Sequence, residues 1–140
     1  MTIALTNPTT GEVEAKYEEH TDTEVEDKLL KAQAAHESLR RTSFEDRAEL
    51  MMKAGDLMES EVSKLAPMLV REMGKPIAQA EAEVLKCVKN MRFYAANAKK
   101  FLADEPLENP QDVNADQAWA RYEPLGVVLA VMPWNYPLWQ

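Results

Sequence analysis

One unbroken apolar run, Val127-Val128-Leu129-Ala130-Val131-Met132, constrains this chain more than any other feature. Half of it is valine, whose branched side chain suits a pleated strand better than a helix. A run without polar alternation reads as a strand buried on both faces, the pattern of parallel sheets covered by helices. Such a strand needs strand neighbours, and a parallel neighbour needs a crossover connection. The other strand candidates are Thr2 to Tyr17, as two short strands around a turn, and Gln117 to Glu123; neither is apolar throughout. Beyond the run, Pro133 and Pro137 bracket a short turn, and Pro137 suits the first turn of a crossover helix. The expectation is an α/β protein of which these 140 residues are the N-terminal part, incomplete at the C-terminus.

Ahead of the run, the periodicity predicts a hairpin and four helices within residues 1–102. Asn7-Pro8-Thr9-Thr10-Gly11-Glu12 has the composition of a turn between the two strands. Thr21 with Glu24, and Ser43 with Asp46, have capping-box spacing and open the first two helices. The apolar faces expected for these are Val25, Leu29, Ala32 and Leu39, then Leu50, Ala54, Leu57 and Met58. The third helix is expected over about Val62 to Met73. Ser63 is its expected cap, because Pro67 fits only near a helix start, and Gly74 closes it. The fourth is expected over Ile77 to Leu102, with Val84, Val88, Met91, Ala95, Ala98 and Leu102 as its buried stripe. Residues 103–123 divide into an irregular stretch, Ala103 to Asp116, and the strand Gln117 to Glu123. Residues 124–140 hold the apolar strand and its terminal turn.

Composition removes several classes of function. The chain carries 16 Lys and Arg against 24 Asp and Glu, a formal charge of −8, which argues against nucleic acid and anionic membranes as partners. The apolar run is far shorter than the ~20 residues a membrane helix needs. One cysteine, Cys87, cannot form an internal disulfide, and no signal-peptide pattern opens the chain, so a cytoplasmic location is expected. Cys87 falls on the fourth helix beside Val88 with no histidine near it in sequence, and reads as an inert thiol. His20 and His36 share no ligand spacing with it, so no metal site is expected. Gly74-Lys75 lacks the rest of a phosphate loop and reads as a helix terminus.

Chemistry is expected at the carboxyl end of the apolar strand, where open α/β sheets bind ligands. There Asn135 offers an uncharged amide that a stiff backbone could aim at a developing oxyanion. Trp134 offers an apolar wall for a flat cofactor. The competing role for Asn135 is that of a cap or Asx turn.

Pro133-Trp134-Asn135-Tyr136-Pro137-Leu138 resembles the Pro-Trp-Asn-Phe-Pro signature of the NAD(P)-dependent aldehyde dehydrogenases, with Tyr136 in place of the commoner Phe. Three further motifs of that family are matched in order: Asn7 to Glu12, Glu72-x-Gly74-Lys75-Pro76, and Pro124-x-Gly126. The Glu-Met-Gly-Lys-Pro form and the Trp139-Gln140 ending are most similar to the succinate-semialdehyde dehydrogenase branch. The resemblance implies the N-terminal part of an aldehyde dehydrogenase fold: four helices, short strands and the first strand of a Rossmann-like parallel sheet. It implies oxidation of an aldehyde to a carboxylic acid through a cysteine thioester, with NADP or NAD as cofactor. Residue by residue, Asn135 carries over as catalytic, and Met132, Pro133, Trp134 and Asn135 as lining the cofactor cleft. The nucleophile and general base would lie beyond Gln140, leaving these residues inactive alone. Residues 103–123 would join those of partner subunits in a homo-oligomer, a dimer or tetramer. The alternative is a helical interaction module whose apolar tail docks on a partner as an added strand.

Overall fold

The computed structural model describes residues 2–140. Thr2–Thr6 (β1) and Val13–Glu18 (β2) form an antiparallel hairpin, followed by four helices: Asp22–Leu39 (α1), Phe44–Ser60 (α2), Val62–Met73 (α3) and Ile77–Phe101 (α4). The hairpin turn forms as its residues dictate. Asn7 Oδ1 accepts from the Thr9 N–H at 2.9 Å, an Asx turn, and Gly11 takes φ 75°, which glycine adopts without steric cost.

Both capping boxes are present. The Thr21 side chain accepts from the Glu24 N–H, and Glu24 accepts from the Thr21 N–H; Ser43 and Asp46 repeat the exchange. Ser63 is not a cap. Only Glu61 separates α3 from α2, and its carbonyl accepts from the Lys64 and Leu65 N–H groups, so α3 starts before Ser63 and carries Pro67 inside it. Gly74 closes α3 in the left-handed conformation at φ 73°. A Cβ there would lie 3.1 Å from Pro8 Cγ, so the hairpin turn sits directly against this helix end.

Helix α4 is the central element and packs against α2 and α3. Its buried face is Ala80, Glu83, Val84, Cys87 and Val88, nearer the N-terminus than the expected stripe. Met91, Ala95 and Ala98 are only half-buried and Leu102 is exposed. On α2 the contact runs through buried Gly55, whose absent Cβ would lie 3.8 Å from the Val88 carbonyl oxygen. Leu50, Ala54 and Leu57 therefore face away from α4 and are exposed, contrary to the expected face. Arg92 bridges Asp56 and Glu59, and Lys99 meets Glu45, fixing the antiparallel register of the pair. No residue of α1 is buried, so its expected apolar face finds no cover.

Beyond α4 the chain is mostly extended. Glu105–Pro106 (β3) pairs with Trp119–Ala120 (β4), and a 3₁₀ turn covers Pro110–Val113. The strand expected over Gln117 to Glu123 thus reduces to two residues, paired inside the stretch expected to be irregular. Val127 to Met132 forms no strand: Val128, Leu129 and Val131 are 70%, 88% and 83% exposed. The physical reason is the missing partner, because an extended segment becomes a strand only when a neighbour takes up its backbone hydrogen bonds. The final residues return to the helices. Leu138 packs against the cluster of Ala66, Leu69 and Ala80 between α3 and α4.

Candidate active site

The terminal turn, Pro133 to Gln140, is held on the α3–α4 hairpin by two buried charges. Lys75 lies in the short link between the helices, and Glu83 lies two turns into α4 on its buried face. Their side chains are 5% and 0% exposed and form an ion pair. Isolated, either charge would be costly to bury; paired and hydrogen-bonded, both are tolerated.

Each charge also grips the turn. Lys75 Nζ donates to the Asn135 carbonyl at 3.1 Å and stands 3.7 Å from the centre of the Tyr136 ring, a cation–π contact. Glu83 Oε1 accepts the N–H groups of Leu138 at 3.0 Å and Trp139 at 3.1 Å. The Gln140 N–H donates to the Tyr136 carbonyl, so one helical turn begins at Pro137. The first N–H groups of such a turn have no partner within it. Glu83 supplies that partner from another helix, in place of a local capping side chain. Lys86 completes the seat, 3.8 Å from the Trp139 ring. Burial alone would push the Glu83 carboxyl up; hydrogen bonds from Lys75 and from the Trp139 and Leu138 N–H groups outweigh it and hold the carboxyl below its ordinary value.

The side chain of Asn135 is treated differently. Its backbone carbonyl is engaged, yet its amide makes no hydrogen bond among the described residues and the residue is exposed. The cap or Asx-turn role is therefore not the one the amide performs here. Met132 and Trp134, 52% and 75% exposed, continue the open surface on the strand side of Asn135. Pro133 lies between Met132 and Trp134 and is also exposed. All three are apolar and open to solvent, the chemistry that packs against a flat ring system.

Other candidates lie elsewhere. Cys87 is one turn beyond Glu83 on the buried face of α4, and burial and the Glu83 charge raise its thiol above the ordinary value. No group of three His, Cys, Asp or Glu residues that could hold a metal occurs among the described residues, and no helix there is long and apolar enough to cross a membrane. A groove of about 590 Å³ between α2, α4 and residues 122–124 includes none of Met132 to Asn135. Lys75 and Glu83 were not singled out from sequence as functional. The available signal was a glutamate in register with Ala80, Val84 and Cys87 on an apolar face, which requires a buried counter-charge.

The leading β-hairpin, the α3–α4 hairpin and the Pro-Trp-Asn turn seated on the latter define the N-terminal portion of an aldehyde dehydrogenase fold, and the chain belongs to the aldehyde dehydrogenase family, whose match runs over residues 1–140. It is 48% identical over all 140 residues to succinate-semialdehyde dehydrogenase [NADP(+)] 1 of Mycobacterium bovis (strain BCG / Pasteur 1173P2), covering 30% of that protein. It is 46% identical to an aldehyde dehydrogenase of Paenarthrobacter nicotinovorans, again over its full length and covering 31% of that protein. Among solved structures, succinic semialdehyde dehydrogenase from Streptococcus pyogenes in complex with NADP+ superposes with a TM-score of 0.88 at 29% identity, covering 97% of this chain and 29% of that one. The chain thus spans about 30% of the length of these relatives. A family match over every residue leaves the helical interaction module without support.

Proposed function

We propose that this chain is the N-terminal part of an enzyme that oxidises an aldehyde, succinate semialdehyde by similarity to its relatives, to the carboxylic acid with NADP or NAD. Asn135 is the oxyanion donor. The observation that carries this role is an exposed amide with no internal hydrogen bond on a backbone gripped at its own carbonyl and in the turn that follows. A cysteine thiolate beyond Gln140 attacks the aldehyde carbon, and the Asn135 N–H donates to the oxygen as negative charge builds on it. Only the strengthening of that bond between ground and transition state accelerates the step. The cofactor supplies a hydride acceptor when bound. Met132, Pro133 and Trp134 form one wall of its cleft and keep water from that side. Water activated by a glutamate, also beyond Gln140, releases the acid. Cys87, buried and with its thiol raised, is not the nucleophile, so residues 1–140 alone are inactive. Residues 103–123 serve subunit association in a soluble, cytoplasmic homo-oligomer.

Asn135→Ala in the full-length enzyme tests the role. Loss of one oxyanion donor costs on the order of 10²–10³ in rate, so the acylation step followed by stopped flow should slow by about that factor. Cofactor affinity should change little. Asn135→Asp, which keeps turn-forming capacity but sets a negative charge beside the oxyanion, should be at least as slow. Near-normal acylation by Asn135→Asp would refute the assignment.

A further inference from the structure

We infer that Lys75 and Glu83 are positioning residues for the acylation step, acting as a clamp that fixes the backbone at the Asn135 carbonyl and over the turn that follows it, and thereby the direction of its amide. The inference rests on the oxyanion reading of Asn135. Four contacts carry it. Lys75 holds the Asn135 carbonyl itself and the ring of the following residue, Tyr136. Glu83 holds the N–H groups three and four residues after Asn135. The two charges hold each other on a rigid helix pair and are nearly inaccessible to solvent. The Asn135 amide itself makes no bond among the described residues that would orient it locally.

The arrangement has a chemical logic. A catalytic donor that also anchored its own turn would have to release one partner to serve the other. Here the anchoring is transferred to the backbone, and the side chain stays free for the reacting oxygen. The lever is short: Lys75 Nζ binds an atom of the same residue whose amide would react. Displacement by about 1 Å is enough to lose ~10²-fold in a well-oriented reaction. Held by Lys75 of the α3–α4 link rather than by its own turn, the Asn135 backbone inherits the stiffness of a helix pair.

The test is made on the full-length enzyme, with the acylation rate read as the burst of reduced cofactor, cofactor affinity by titration, and amide exchange of peptides covering residues 133–140 by mass spectrometry. Lys75→Met removes the grip on the Asn135 carbonyl. Lys75→Met with Glu83→Gln removes both charges while leaving an acceptor for the Leu138 and Trp139 N–H groups, and guards against misfolding around an unpaired charge. Each is made alone and combined with Asn135→Ala. Alone, both should slow acylation about 10–100-fold, leave cofactor affinity within about 3-fold, and speed exchange at 133–140. Combined with Asn135→Ala they should add less than about 3-fold, because a misaimed amide and an absent one are equivalent. Lys75→Arg should recover part of the rate. Equal losses with and without Asn135→Ala, or none in either, would overturn the clamp while leaving the oxyanion reading intact. Normal acylation by Asn135→Ala itself would overturn the oxyanion reading and the clamp with it.

Discussion

Replacing Glu83 by alanine removes the single group on which three donors converge. The carboxylate is fully buried and accepts from Lys75 Nζ and from the Leu138 and Trp139 N–H groups. Its loss leaves an ammonium 5% exposed, with only the Asn135 carbonyl and the Tyr136 ring as company. Breaking one side of a buried ion pair costs about 3–5 kcal/mol, most of it from the charge left behind. The two stranded N–H groups cannot add their full cost of about 1–3 kcal/mol each, because the terminal turn can lift and let water reach them. Lifting also uncovers Leu138, so the expected loss stays near 3–5 kcal/mol. Adding Lys75→Met should restore part of it, leaving a deficit of about 1–2 kcal/mol, since the orphaned charge is gone and only the capping is missing. Urea unfolding of the four members of this cycle, followed by tryptophan fluorescence, measures the coupling directly. A loss below about 1 kcal/mol for Glu83→Ala, or a double variant less stable than the single one, would refute the buried-pair argument.

The carboxyl of Glu83 is held below its ordinary value of about 4.5, so its contribution is fully present above that pH and is lost as pH falls through the lower folded value; the protection of the Leu138 and Trp139 amides, measured as exchange relative to the intrinsic rate at each pH, should be constant above about pH 5 and fall below it, and Glu83→Gln should abolish that dependence. Gly74→Ala places a side chain at φ 73° and 3.1 Å from Pro8 Cγ, and thermal melting should report a loss of about 1–3 kcal/mol. Leu129→Lys and Val131→Lys, at positions 88% and 83% exposed, should raise the solubility of the 140-residue chain without lowering its melting temperature; a clear loss of stability would mean that these side chains are already covered.

Local grammar was the legible part of this fold. Thr21 with Glu24 and Ser43 with Asp46 settle two helix starts within four residues each, and no distant contact competes with them. Ser63 failed because a helix need not have a side-chain cap when the previous helix ends one residue earlier and offers a carbonyl. Leu50 and Leu57 failed for another reason: periodicity finds an apolar face but not what covers it, and on α2 close approach at Gly55 chose the opposite face. The run from Val127 to Met132 has strand composition and no strand, since pairing belongs to the neighbour as much as to the segment. The motif singles out Asn135 as a candidate and carries no word of what holds its backbone. The clamp beneath it joins residues 60 and 55 positions apart, Lys75 to Asn135 and Glu83 to Leu138, a separation that no local pattern encodes.

Cys87 has a practical consequence outside catalysis. The only thiol of the chain is 4% exposed, and burial and the neighbouring Glu83 charge suppress its thiolate. Since only a thiolate that solvent can reach is alkylated rapidly, the folded chain should be silent to thiol reagents. Labelling of Cys87 therefore keeps time for the parting of the helices around it. At reagent concentrations where reclosing outruns alkylation, the rate reads the open fraction, a stopwatch built into the sequence with no added probe.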